Sequence, residues 1–78
     1  MSVERLKQAF AEVLGIDVNG ITDDLQYDTL QQWDSVGHMA LIAAIEQAFD
    51  ILIDTDDVLD MSSYAKAKEI VARYGVAI

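Results

Sequence analysis

The chain has no cysteine in its 78 residues. A disulfide framework and a thiolate metal site are therefore excluded, and the fold must rest on apolar packing. Proline is also absent, so element ends have to be read from glycines and capping residues. No apolar run approaches the length of a membrane span. The opening stretch Ser2-Val3-Glu4-Arg5-Leu6-Lys7 lacks the basic-then-apolar layout of a signal peptide. The expectation is a soluble, cytoplasmic protein. One small domain, residues 1–78, leaves too little chain for a deep catalytic cleft beside a core, which argues against an enzyme.

Positive charge is scarce as well. The formal net charge is −9, and the basic residues are Arg5, Lys7, Lys66, Lys68 and Arg73, all near the two ends. Residues 8–65 carry twelve carboxylates and no Lys or Arg. So acidic a stretch repels nucleic acid and anionic membranes. It favours encounter with basic protein surfaces.

What is present is helical periodicity. Val3, Leu6, Phe10, Val13 and Leu14 recur at helical spacing, with Ser2 as N-cap and Gly15 as a left-handed stop, predicting a helix over 2–14. Residues 16–33 form a long connection. It contains the turn formers Asn19-Gly20, Asp23-Asp24 and Asp28. Its apolar residues Ile16, Val18, Ile21, Leu25, Tyr27 and Leu30 are too many for a free linker, so it is expected to be pinned to the core, with one helical turn near Thr22 to Leu25. The run Ile51-Leu52-Ile53 reads as an extended connector, and Asp54 or Thr55 as the cap of a single short acidic helix. Ser62 or Ser63 caps a last helix whose apolar face is Tyr64, Ala67, Ile70, Val71 and Tyr74, and Gly75 ends it. The fold class is all-α: a small four-helix bundle of three main helices and one short one.

The focus is Trp33-Asp34-Ser35-Val36, where the long connection becomes the most apolar helix. Asp34 or Ser35 caps that helix, which runs to Phe49 or Asp50. At about 100° per residue, His38, Leu41, Ile42, Ile45, Ala48 and Phe49 share the core face. Val36, Met39 and Ala43 fall on another side beside Ser35, with Glu46 and Gln47 also away from the core. An apolar strip within an acidic surface has the character of a docking site.

These residues together resemble the acyl carrier proteins and the related peptidyl carrier domains. The resemblance covers nearly the whole chain: element order, the long first loop, Asp34-Ser35-Val36 opening the second helix, the following Leu41, Ile45, Glu46 and Phe49, the short acidic helix and the Ser-capped last one. It implies that Ser35 bears a 4′-phosphopantetheine arm through a phosphodiester and that Asp34 takes part in recognition by the phosphopantetheinyl transferase and its Mg²⁺. It further implies that acyl or aminoacyl cargo rides as a thioester on the arm's thiol. Partners would be that transferase and acyl-loading ligases or synthases with basic docking surfaces. They would read Val36, Met39, Ala43, Glu46, Gln47 and Asp50, with Asp56 and Asp57 on the short helix. The carrier itself is expected to be a monomer and no enzyme. Val36 stands where fatty-acid carriers usually have Leu, and Gly37, Ala40 and Gln47 stand at positions often acidic there, which points to a discrete carrier of a specialised pathway.

Other readings compete with this one. Val36 and Gly37 are where partner choice would be written. Gly37 in a first helical turn costs about 1 kcal/mol relative to Ala and would permit close approach by the arm or a partner, or simply be tolerated. His38, one turn after Ser35, invites a Ser-His hydrolase, but its core-side position favours a packed or loop-bonded ring. Asp54-x-Asp56 opens like a calcium loop, which Val58, Leu59 and Ala65 then break. The small Ala40, Ala43, Ala44 and Ala48 would leave room for cargo between the second and third helices. Without modification, the chain would be an acidic helical adaptor for basic partners.

Overall fold

In a computed structural model of the protein, the structure describes residues 2–27 and 31–78, and side chains from residue 3 onward. The expected cap at Ser2 and the loop residues Asp28 and Leu30 lie outside what is described. Four α-helices follow in order: α1 (Ser2–Leu14), α2 (Ser35–Phe49), α3 (Thr55–Asp60) and α4 (Tyr64–Arg73). A single 3₁₀ turn occupies Val18–Gly20. The expected all-α bundle of three longer helices and one short one is what the chain forms.

The core is what the periodicity selects. Leu6, Phe10 and Leu14 of α1, Leu41, Ile42 and Ile45 of α2, and Tyr64, Ala67, Ile70 and Val71 of α4 are buried. Each large side chain among them contributes roughly 1.5–3 kcal/mol by burial. Phe10 is the hub, with edge-to-face contacts to Trp33 at 5.5 Å and to Tyr64 at 5.2 Å. Gly15 ends α1 at φ +69°, and the chain turns so that the Ile16 N–H reaches the Ala11 carbonyl. At the other end of α2, Asp50 takes the left-handed conformation, and both its N–H and that of Ile51 return to the Glu46 carbonyl.

The long connection is pinned, as its apolar content requires. Ile21 is buried, the Tyr27 N–H donates to the Ser62 carbonyl at 2.8 Å, and the Tyr64 N–H to the Leu25 carbonyl at 3.0 Å. Lys68 Nζ lies 2.6 Å from Asp23 and sits over the Tyr64 ring. The Asp23 hydrogen bond raises the Lys68 ammonium pKa above its ordinary value. Two local expectations are corrected. The segment at Thr22 to Leu25 is a single turn closed by Leu25 N–H to Thr22 O, and the helical turn lies earlier, where the Asp17 carboxylate accepts from Asn19 N–H.

The second correction concerns α3. Asp54 occupies its N-cap position but makes no side-chain capping bond. The Asp54 N–H instead donates to Tyr74 Oη, whose own proton goes to the Asp57 carboxylate. At α4 the choice is resolved in favour of Ser63, whose Oγ accepts from Lys66 N–H. Residues 51–53 form the expected connector, with Ile53 buried and Leu52 pointing outward, 83% exposed.

Candidate functional site

Ser35 is the first residue of α2 and is exposed. Three contacts fix its position. Trp33 is fully buried two residues earlier and anchors the end of the connection. Asp34 is the N-cap: Oδ1 accepts from Gly37 N–H at 2.8 Å, and its carbonyl accepts from His38 N–H at 2.8 Å. Gly37 then lets the connection lie against the helix. A Cβ there would stand 2.0 Å from the Gln32 carbonyl oxygen. Backbone packing within the chain is thus a reason for glycine at this position.

Beside Ser35 opens a groove of about 270 Å³. Ser35, His38 and Met39 of α2 form one wall, and Val58 and Leu59 of α3 the other, with Tyr27 and Met61 also lining it. None of the four alanines expected to make room for cargo lines this groove. Ala44 and Ala48 line a separate cleft against Arg5, Gln8 and Glu12 of α1, so they narrow the contact between α1 and α2.

His38 does not serve Ser35. Its Nδ1 accepts from the Trp33 indole N–H at 2.9 Å, and its Nε2 lies 2.8 Å from the Val58 carbonyl oxygen. Both ring nitrogens are occupied, so no Ser-His pair exists to activate the hydroxyl. Among the described residues no group of three or more His, Asp or Glu is placed to hold a metal ion.

The residues expected to form the docking surface divide into two kinds. Val36, 79% exposed, and Met39, 59% exposed, flank Ser35 as an open apolar surface, with Ala43, Gln47 and Asp50 exposed further along α2 and Asp56 on α3. Glu46 and Asp57 are half-buried and already engaged. Glu46 Oε2 accepts from Ile53 N–H at 2.9 Å, and Asp57 accepts from Arg73 and Tyr74. Sequence reading missed Leu59, 78% exposed across the groove, and Leu52. Leu52 sits one step from the buried Ile53, and both leucines lie in short segments where no period can be read.

The exposed hydroxyl at a helix start, next to a largely apolar groove, fits the attachment of a flexible arm. A phosphodiester on Ser35 Oγ would lie at the N-terminus of α2, where the helix dipole favours negative charge.

Comparison with known proteins agrees. Residues 4–73 match the family described as phosphopantetheine attachment site. The chain is also similar to an acyl carrier protein of Guillardia theta, 29% identical over 70 residues, covering 90% of this chain and 86% of that protein. The matched family is defined by its 4′-phosphopantetheine prosthetic group, and its acyl carrier members are carriers, not enzymes. The chain belongs to the phosphopantetheine-attachment family of acyl carrier proteins.

Proposed function

We propose that Ser35 is the residue that takes the 4′-phosphopantetheine, and that the chain, as one monomeric cytoplasmic unit, presents acyl or aminoacyl thioesters to partner enzymes. The observation that carries this is the placement of Ser35: exposed, first in α2, at the mouth of the groove and beside the bare Val36 and Met39. When bound, the group supplies a thiol that holds cargo as a thioester.

The chain's own residues do the rest. Asp34 fixes the first turn of α2 and offers an exposed carboxylate to the transferase and its Mg²⁺. Val36, Met39 and Leu59 give a partner apolar contact. Asp50 and Asp56 draw basic surfaces toward it. The departures at Val36, Ala40 and Gln47 support a specialised pathway over general fatty-acid synthesis.

Incubation with a broad-specificity phosphopantetheinyl transferase and coenzyme A, followed by intact mass, tests this. The expected result is a gain of one phosphopantetheinyl group that disappears in Ser35→Ala. No gain with the folded protein would leave the unmodified adaptor, which the exposed Val36, Leu52 and Leu59 also suit.

A further inference from the structure

His38 is tied at both ring nitrogens, and its two partners belong to different parts of the chain. The Trp33 indole N–H is a donor only, so Nδ1, which it reaches at 2.9 Å, carries no proton. The Val58 carbonyl is an acceptor only, so Nε2, 2.8 Å away, carries one. The two contacts together specify the neutral Nε2–H tautomer. Val58 sits in the six-residue α3, whose N-cap Asp54 makes no side-chain capping bond. The ring itself lines the groove together with Ser35 and Val58.

We propose that His38 is a positioning residue: in its neutral form it fastens α3 to Trp33 and so sets the width of the groove beside Ser35. The use of that groove rests on Ser35 being the attachment residue; the fastening does not. A histidine kept only to fill space would need no particular tautomer, and a leucine would serve. A proton added at Nδ1 turns the acceptor into a donor facing the indole N–H, so the imidazolium loses one of its two ties.

Among the described residues the groups facing the ring are few. Tyr27 packs edge-on at 5.4 Å and Trp33 stacks at 6.2 Å. From α3 comes the Val58 carbonyl, while the neighbouring Asp57 is engaged by Arg73 and Tyr74. On its own helix, Asp34 accepts from the Gly37 and His38 backbone. Among the described residues no carboxylate is hydrogen-bonded to the imidazole.

The test uses the unmodified protein, so its outcome is separate from whether Ser35 carries an arm. Nitrogen-15 spectra of the single histidine should show the Nε2–H tautomer, and the single tryptophan gives one indole N–H signal to follow. His38→Leu should speed amide exchange in α3 about tenfold, the order expected for one lost hydrogen bond, with α1 and α4 changing far less. His38→Gln, whose amide carries one acceptor and one donor on a planar group, should restore most of the protection. Trp33→Phe keeps the aromatic ring without the donor, and should loosen α3 as well should the Leu variant not fold. The Nδ1–H tautomer, a uniform rise in exchange across all helices, or unchanged α3 protection in Trp33→Phe would each overturn the proposal.

Discussion

The hydroxyl of Tyr74 donates to Oδ2 of Asp57 at 2.5 Å and in the same position accepts the Asp54 N–H at 2.9 Å. In a capping box the third helical residue reaches back to the N-cap N–H itself. Asp57 is that residue of α3, and here a tyrosine from beyond the end of α4 stands between the two. The C-terminal end of the bundle thereby holds the start of α3. Tyr74→Phe should raise amide exchange in α3 while leaving α1 largely unchanged. Equal exchange in the two proteins would contradict the relay.

The same relay sets an alkaline limit. The Asp57 hydrogen bond raises the Tyr74 phenol pKa, against the Asp54 N–H, which favours the phenolate. Burial raises that of Tyr64, partly offset by Lys68. The Asp23 hydrogen bond raises Lys68. A group whose pKa is raised by folding favours the fold in its protonated form. Its contribution is complete below the unfolded value, about 10 for tyrosine, and is lost as pH rises through the folded value. Phenolate absorbance and helical circular dichroism, recorded together, should show part of the tyrosine titration delayed and coincident with loss of helix. Titration of every tyrosine near pH 10 with the helix signal intact would contradict it.

Gly37→Ala separates two effects of opposite sign. Helix propensity alone would stabilise the protein by about 1 kcal/mol. The Cβ, however, would meet the Gln32 carbonyl at 2.0 Å, and overpacking of this kind costs about 1–3 kcal/mol. Denaturant unfolding should show a net loss and a weakened first turn of α2. A more stable variant would mean that the connection yields freely.

Asp34 caps α2, and substitution can part that role from the proposed recognition by the transferase. Asparagine caps a helix about as well as aspartate, whereas alanine costs about 1 kcal/mol. Asp34→Asn should therefore unfold at nearly the natural denaturant concentration yet be modified more slowly by the transferase. Asp34→Ala should lose both stability and modification. Full modification of the Asn variant would confine Asp34 to capping.

Glu46 offers a similar division. Glu46→Gln keeps an acceptor for the Ile53 N–H and removes the charge, so stability should hold. Glu46→Ala should cost about 0.5–1.5 kcal/mol, the worth of one such bond. Where a basic partner reads the charge, both variants should bind it more weakly, as affinity measured at low salt would show. Weakening by Ala alone would make Glu46 a clamp on the connector and nothing more.

The parts of the fold that could be read beforehand are those written in local pattern. The 2–14 helix ends where Gly15 predicts, Leu41, Ile42 and Ile45 are buried where a 3.6-residue period places them, and Trp33 is the anchor its size suggests. The start of α2 at Ser35 was legible because a capping pair stood before a strongly apolar helix. What escaped are contacts between distant backbone and side-chain atoms: His38 with the Val58 carbonyl, Tyr74 with Asp54 and Asp57, and the Gln32 carbonyl over Gly37. Backbone carbonyls leave no mark in a sequence. A glycine kept for a neighbour's carbonyl looks the same as one kept for a partner.

Gly37 and Val36 are adjacent in sequence and face in different directions. One lies under the Gln32 carbonyl, and the other is almost wholly exposed. The turn of helix that carries Ser35 thus has an inner side, set by backbone contact, and an outer side that none of the described residues covers. The contacts that hold the serine still and the surface proposed for partner choice fall to different sides of the same turn. If partners read Val36 and Met39 as proposed, substitution there should change who binds without moving the Ser35 hydroxyl.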